Sequence, residues 1–587
     1  MSAASNPKYN DIYESARQEI TELDSLHFSQ RMAAPNTIII DVREPSEWVD
    51  GVIENANLIP RGILERESSK SFTNLDCEIL IYCATGKRSA IAAQTMQHMG
   101  YSNVSSLEQG FEGWRSENLP IAAGPAGSSS NSTCDSDVNP KDWTSIRKSF
   151  AITSRTVQVL TGEEKPMVYL DHAATTHPSD YVVSRFEHFL RFEYANVHRA
   201  SYHLARRSTL RFEDAYRMCG AFVGADMDHH CVIFTSNTTA ACELVAHTMA
   251  ERQGKVLLTD LEHHSNDLPY RQRGETIRIG LDSDMQLDMN ALRTALREED
   301  IKLVAVTGAA NVTGWMPPIH EIAKMAHEAG ALICVDGAQL LAHAPFSMGP
   351  PGEPESIDFF VAAGHKAYAP FGAGFIVGPR SVFDAAPPVV CGGGVAAQVT
   401  TDGTEWLSSP DRHQFGTPNV GGAIALAEML KLLDAIGMDR IREHEMSLFT
   451  RMVEGLRSIG GIQLYGPSDL SQRVGIIPFN VDGQSDMMTA AVLGEEYAVA
   501  VRNGRFCSHI HSDRLLENGE HHHGAVRASI GLYNNEDDVD AFLRAVEDVR
   551  HGRWQGTYHQ QGGQLSGQWG GRCADNWMEA ESPSDSL

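Results

Sequence analysis

The feature that most constrains this chain is a long alternation of short apolar runs with helical patterns, which begins after a break near residue 140. The apolar runs lie at 232–235, 256–259, 303–307, 331–335, 359–362 and 375–378. Each is continuous rather than alternating, as a strand buried on both faces requires. Helical periodicity fills the gaps, notably over 319–329. Strand and helix alternating this often predict a large, mostly parallel sheet with helices on both faces. Beyond about residue 435 the helices lengthen and the strands thin out. The pattern therefore predicts a large domain over 141–434 and a smaller C-terminal α+β lobe over 435–551.

The break itself reads PIAAGPAGSSSNSTCDSDVNP over 120–140 and has nothing to bury, so 123–140 is expected to be a flexible linker. Ahead of it, 20–122 is a short α/β segment. TIIIDV (37–42) and EILIY (78–82) read as buried parallel strands, and a helix is expected to start near Arg88. The Gly-, Gln- and Ser-rich residues 552–587 read as a disordered tail. The fold class is thus α/β throughout. A chain of 587 residues with 42% hydrophobic and 21% charged residues is a multidomain globular protein. Its net charge of −28 argues against a general nucleic-acid binder. No stretch is long and apolar enough to span a membrane, and the N-terminus has no apolar signal core. The expected location is the cytoplasm. The ten cysteines form no CxxC pair. Cys219, Cys231, Cys242 and Cys334 lie in apolar periodic segments and read as core. Cys83 and Cys507 lie instead in Gly- and Arg-containing loops.

Cys83 follows a strand and precedes a helix, in the loop Cys83-Ala-Thr-Gly86-Lys87-Arg88. Backbone N–H groups at a helix start and two cations around one sulfur make an anion cradle. Such surroundings favour a thiolate or a persulfide. With IDVREPSEW (40–48), CATGKRS (83–89) and EQGFEGW (108–114), the segment resembles a rhodanese domain. The resemblance implies that Cys83 accepts and donates sulfane sulfur. Arg88 stands five positions after Cys83, the shorter spacing that favours sulfur over phosphate in this group. GVIENA (51–56) departs from the usual family segment there. The opposing reading is an inert cysteine in a docking module.

In the large segment, Lys366 sits just beyond a buried strand in GHKAY (364–368), and Asp336 ends the strand of VDGAQ (335–339). A buried lysine able to form a Schiff base and a carboxylate for a pyridinium nitrogen are the two needs of pyridoxal phosphate. Residues 165–551 resemble class V aminotransferases, and cysteine desulfurases in particular. The matching motifs are MVYLDHAATT (167–176), ANVHRASYHLA (195–205), FTSNTTAACELVA (234–246), LEHHSNDLPY (261–270), FGTPN (415–419), VRNGRFCS (501–508) and VRASIGLYNNEDDVD (526–540), with the two above. The resemblance implies a role for each matching residue. Lys366 holds the cofactor and moves protons. Asp336 faces the ring nitrogen, Gln339 the ring hydroxyl, and His263 stacks on the ring. Thr238, Thr239 and His365 bind the phosphate, and Thr417 reaches it from the other subunit of a homodimer. Asn311 and Arg527 bind the substrate carboxylate. His264 points away and is structural. Ala363 stands where the family commonly has a phosphate-binding serine.

Cys507 is the nucleophile that decides the reaction. Arg505 and Phe506 replace residues that are often histidine there, and Arg505 is expected to lower the thiol pKa. The implied reaction converts L-cysteine to L-alanine and leaves a persulfide on Cys507. Selenocysteine is the alternative substrate, and an aminotransferase unrelated to sulfur the alternative class. His509, His511 and His521–His523 are read as a polar surface insertion with incidental metal affinity rather than a metal site. A linker of about 20 flexible residues spans ~25 Å, which gives an effective concentration around the millimolar range. Relay from Cys507 to Cys83, then to a thiol, cyanide or carrier protein, is the expected use of the fusion. Direct delivery past a non-relaying front domain is the alternative.

Overall fold

The computed structural model describes residues 9–561 and 564–573, except 33, 35–36, 44–46, 49–50, 66–67, 69–71, 73, 118, 123–137, 199–201 and 518–523. The chain forms two compact units, Met1–Cys134 and Asp135–Leu587. Most of the expected linker, His521–His523 and residues 574–587 lie outside the described residues.

In the first unit the strands β1 (Thr21–Leu23), β2 (Ile38–Asp41), β3 (Ala56–Leu58), β4 (Glu78–Tyr82) and β5 (Asn103–Leu107) form one sheet in the order β1-β5-β4-β2-β3, with every pairing parallel. Apolar residues on both faces of β4 feed two separate cores. Ile79 and Ile81 pack with Met96 on one side, and Leu80 and Tyr82 with Phe28 and Trp114 on the other. Helix α1 (Lys87–His98) starts within one residue of the expected place. Asp41 and Arg43 of the IDVRE motif form a buried ion pair at 2.7 Å. The guanidinium also donates to Gly51 O at 2.7 Å and lies 3.9 Å from the Phe111 ring centroid.

The second unit is built on a seven-stranded sheet. Its strands are β6 (His230–Thr235), β7 (Lys255–Thr259), β8 (Thr276–Ile279), β9 (Ile301–Thr307), β10 (Leu332–Asp336), β11 (Phe359–Ala363) and β12 (Gly374–Pro379), in the order β8-β7-β9-β10-β11-β12-β6. Pairings are parallel except those of β12, which runs antiparallel to β11 and to β6. All six apolar runs read from sequence are strands here, and β8 is an added edge strand. Large cores cover both faces. Helices α2 (His203–Phe222) and α4 (Val420–Ile436) pack on one side, and α3 (Thr238–Thr248) on the other.

The C-terminal lobe carries α5 (Met438–Ile459), β13 (Ile462–Leu464), β14 (Ile476–Val481), α6 (Asp486–Tyr497), β15 (Arg502–Gly504), α7 (His509–Leu516), β16 (Ala525–Ser529) and α8 (Glu536–Arg550), with sheet order β13-β14-β16-β15. Its core also takes Val168 and Leu170, because Val168–Tyr169 pairs in parallel with Val499–Ala500. The lobe is therefore not one continuous stretch of chain.

The expectation of a disordered tail over 552–587 is corrected for the described residues up to Cys573. Strands β17 (Thr557–Gln561), β18 (Gln564–Trp569) and β19 (Arg572–Cys573) form an antiparallel meander against α6. Buried Glu496 of α6 accepts from Gln555 N and Gly556 N, each at 2.8 Å, and from Tyr558 Oη at 3.1 Å. A composition poor in aliphatic residues hides such an element, because its anchor is polar and lies on another helix.

Candidate active site

Five strands of the large sheet deliver side chains to one cavity of about 460 Å³ at its end. β10 ends in Asp336, and β11 runs into the short turn Gly364–Lys366. β6 leads to Thr238 at the start of α3, and β7 leads to His263. β9 leads to Asn311. This is the edge of an open α/β sheet where ligands collect, outside the carboxyl ends of the parallel strands. Thr238, Thr239, His263, Asn311, Asp336, Gln339, His365, Lys366, Cys507 and Arg527 all line the cavity. Thr417 does not; it lies exposed in the loop before α4.

Burial dominates the electrostatics. It pushes the Lys366 ammonium down to about 8, opposed by the nearby Asp336 carboxylate. Burial also raises the Asp336 carboxyl, while the Ala338 N–H at 3.0 Å and Lys366 hold it down. His263 is driven down to about 3, first by burial and then by Lys366. Its Nδ1 accepts from Ser265 N at 3.1 Å, so the neutral ring carries its proton on Nε2. Burial and Lys366 take His365 down to about 4. Deeper still, Glu262 is fully buried, held by Thr259 Oγ1 at 2.6 Å and Asn266 Nδ2 at 2.7 Å, and burial pushes it up to about 8.

Four buried atoms of cavity residues have no protein partner: Thr238 Oγ1, Gln339 Oε1, Asn311 Oδ1 and Arg527 Nε. Buried polar atoms are seldom left unsatisfied, and these await a ligand. Thr238 begins α3, whose cap Asn237 accepts from Ala240 N at 2.9 Å, so first-turn N–H groups face the cavity as an anion site. A cofactor with an anionic phosphate, a ring hydroxyl and a basic ring nitrogen fits this donor set. Ala363 is buried at the end of β11 and does not line the cavity. Ser265 supplies a hydroxyl at the phosphate side instead, 2.6 Å from Thr239 Oγ1. Asn237, Ser265 and Phe371 line the cavity without having been singled out by sequence. The first two stand inside quoted motifs, SNTTAA and HHSN, which was the available signal.

Arg527 is fully buried on β16, and burial brings it down to about 10. It donates to Asn311 O at 2.8 Å and lies 3.5 Å from Asp171. Asn311 Nδ2 donates to Phe506 O at 2.7 Å. Cys507 is exposed at the cavity mouth, and both Phe506 and Cys507 have φ of 53°. Arg505 does not serve the expected role: it pairs with Asp513 at 3.0 Å and is absent from the cavity lining, because the turn carries its side chain toward α7. Arg502 lines the cavity and pairs with Asp171 at 2.9 Å. His264 N donates to Cys507 O at 2.9 Å, and the His264 ring packs edge-on to His509. The expected surface insertion is corrected at His511, which is fully buried within α7.

In the first unit Cys83 is fully buried directly after β4. Ser89 Oγ lies 3.4 Å from its sulfur, and Arg88 makes a two-pronged pair with Glu47 at 2.6 and 2.7 Å. Gly86 has φ of 90°, and a Cβ there would meet Glu108 O at 1.9 Å. Only glycine lets this loop close on the strand end.

Fold and site together define a pyridoxal-phosphate enzyme of the open α/β type, preceded by an independent parallel-sheet domain. The aminotransferase class-V model matches residues 168–542, and the rhodanese-like domain model matches 26–117. A cysteine desulfurase of Haloferax volcanii is 32% identical over 427 residues, covering 70% of this chain and 97% of the relative. One of Cronobacter sakazakii is 33% identical, covering 68% and 96%. The apo structure of a Thermococcus onnurineus cysteine desulfurase superposes with a TM-score of 0.61 at 31% identity, over 66% of this chain and 95% of that one. The chain belongs to the class-V aminotransferase family, in its pyridoxal-phosphate-dependent cysteine desulfurase branch, with a rhodanese-like domain in front. Among the described residues, no helix is long and apolar enough to cross a membrane.

Proposed function

We propose that the second unit converts L-cysteine to L-alanine and retains the sulfur as a persulfide on Cys507. The observation that carries this reading is the presence of Cys507 at the mouth of the cavity that also holds Lys366 and Arg527. Pyridoxal phosphate supplies an electron sink beside the substrate carbon when bound. Lys366 anchors it and, with a lowered pKa, takes and returns protons at the substrate's carbons. Asp336 lies ready to pair with the ring nitrogen, and Gln339 Oε1 with the ring hydroxyl. His263 would stack on the ring and offer Nε2–H. Thr238, Thr239 and His365 would hold the phosphate, and Thr417 would reach it from a second subunit of a homodimer. Arg527 and Asn311 hold the α-carboxylate. The Cys507 thiolate attacks the substrate sulfur and forms an S–S bond. The carbon–sulfur bond breaks with its electron pair left on carbon, which a proton then quenches to give alanine.

The rhodanese-like unit extends this reading. Cys83, in the loop that carries Gly86, Lys87 and Arg88, takes the terminal sulfur from the Cys507 persulfide. The Cys507 thiolate leaves, and the sulfur passes on to a thiol, cyanide or a carrier protein. Intact-protein mass spectrometry after addition of L-cysteine tests both steps. One additional sulfur is expected on each of Cys507 and Cys83 in the wild type. Cys507→Ser should carry none on either site and Cys83→Ser only the one on Cys507. A Cys507→Ser protein that still forms alanine at the wild-type rate would sink the role of Cys507, and a wild-type protein that forms no alanine from L-cysteine would sink the desulfurase reading.

A further inference from the structure

Phe506 touches both residues assigned to the substrate carboxylate, although it precedes the nucleophile and belongs to neither. Its carbonyl accepts from Asn311 Nδ2 at 2.7 Å, and its ring centroid lies 4.8 Å from the Arg527 guanidinium carbon. The ring is buried in an apolar nest of Val312, Tyr465, Leu516 and Ala525. Phe506 and Cys507 are both left-handed at φ 53°, a conformation that two side-chain-bearing residues in succession adopt only when their surroundings impose it. The nest holds the ring, Asn311 holds the Phe506 carbonyl, and His264 N holds the Cys507 carbonyl at 2.9 Å. Ser508 Oγ adds a bond to Glu262 O at 2.9 Å.

We infer that Phe506 is the positioning residue that fixes the Cys507 thiol relative to the substrate's α-carboxylate. This rests on the desulfurase reading above and names the part that sets its sulfur step. The ring locks the strained turn, and its contact with Arg527 ties the nucleophile's loop to the carboxylate-binding side chain. Without the ring the turn relaxes and the thiol leaves its line of attack. Chemistry at the substrate's α-carbon, which needs Lys366 and Arg527 but no thiol, is affected far less.

Two rates on the holoenzyme separate the steps: single-turnover persulfide formation on Cys507 from L-cysteine, and exchange of the α-proton of L-alanine in deuterated water. Phe506→Ala is expected to slow persulfide formation at least tenfold more than exchange. Phe506→Leu, which keeps an apolar anchor in the nest, should stay within about threefold of wild type. Should Phe506→Ala not fold, Val312→Ala shrinks the nest from outside the cavity and should give the same selective loss at about threefold. A ratio of the two rates that stays at the wild-type value in an active enzyme overturns the role of Phe506. A wild-type enzyme that forms no persulfide on Cys507 overturns instead the reading on which that role rests.

Discussion

Lys366 is a buried amine whose partner, Asp336, is itself reluctant to ionise, so proton occupancy at this one residue governs loading of the site. It loses its proton near 8 rather than at the ordinary 10.5. The neutral, nucleophilic amine predominates above that value. Uptake of pyridoxal phosphate by the apoprotein, followed by its visible absorbance, should therefore accelerate as pH rises through about 8 and then level off. Between about 8 and 10.5 the unfolded chain binds the extra proton, so this group makes the apoprotein more stable with rising pH over that window. Arg527→Lys should raise KM for L-cysteine by roughly 10–100-fold with a smaller change in kcat, because one charged hydrogen bond contributes ~1.5–3 kcal/mol. Most cavity residues were legible in sequence because each sits at a strand end in an ordered motif. In the sequence Phe506 stands out only as a departure from histidine. Its significance lies in an apolar nest assembled from Val312, Tyr465, Leu516 and Ala525, which no local pattern announces. Arg505 misled for a related reason: proximity along the chain does not fix direction, and its head turns to Asp513.

At the scale of elements, two polar anchors hold structure that apolar patterning alone would not. The buried Asp41–Arg43 pair locks the turn after β2 to Gly51 and Phe111. Arg43→Ala leaves Asp41 buried without its counter-charge and should destabilise the front unit by ~3–5 kcal/mol, read by denaturant unfolding. Glu496 plays the corresponding part for the tail. Deleting residues from 555 onward removes all three groups that donate to its carboxylate and should lower the melting temperature by several degrees, at a cost of ~1–3 kcal/mol or more. A Glu496→Gln change in the shortened chain should recover part of that loss. Continuous apolar runs made six of the seven strands readable. β8 escaped because TIRI is short and carries Arg278, whose head donates to Thr259 O at 2.7 Å, so the strand never looks fully apolar.

For the whole molecule, the division into two units is written in composition, whereas a relay between Cys507 and Cys83 is not. If sulfur moves by relay, Cys83→Ser should leave alanine formation unchanged while slowing delivery to cyanide, measured as thiocyanate. Equal delivery by the mutant would favour the docking alternative. The large sheet carries a separate consequence, for biosynthesis. Strand β6 is the first of the seven to leave the ribosome, yet its sheet partner β12 is the last, and β6 has no other neighbour among the described residues. Until residues 374–379 have been made, β6 waits with both edges unpaired, and so does the start of α3 that follows it. Local pairing cannot shorten that wait, since the closing contact joins distant parts of the chain. The phosphate end of the cavity is therefore the last part of the large sheet to be assembled. A nascent chain halted before residue 374 presents an apolar strand to chaperones and to other nascent chains alike.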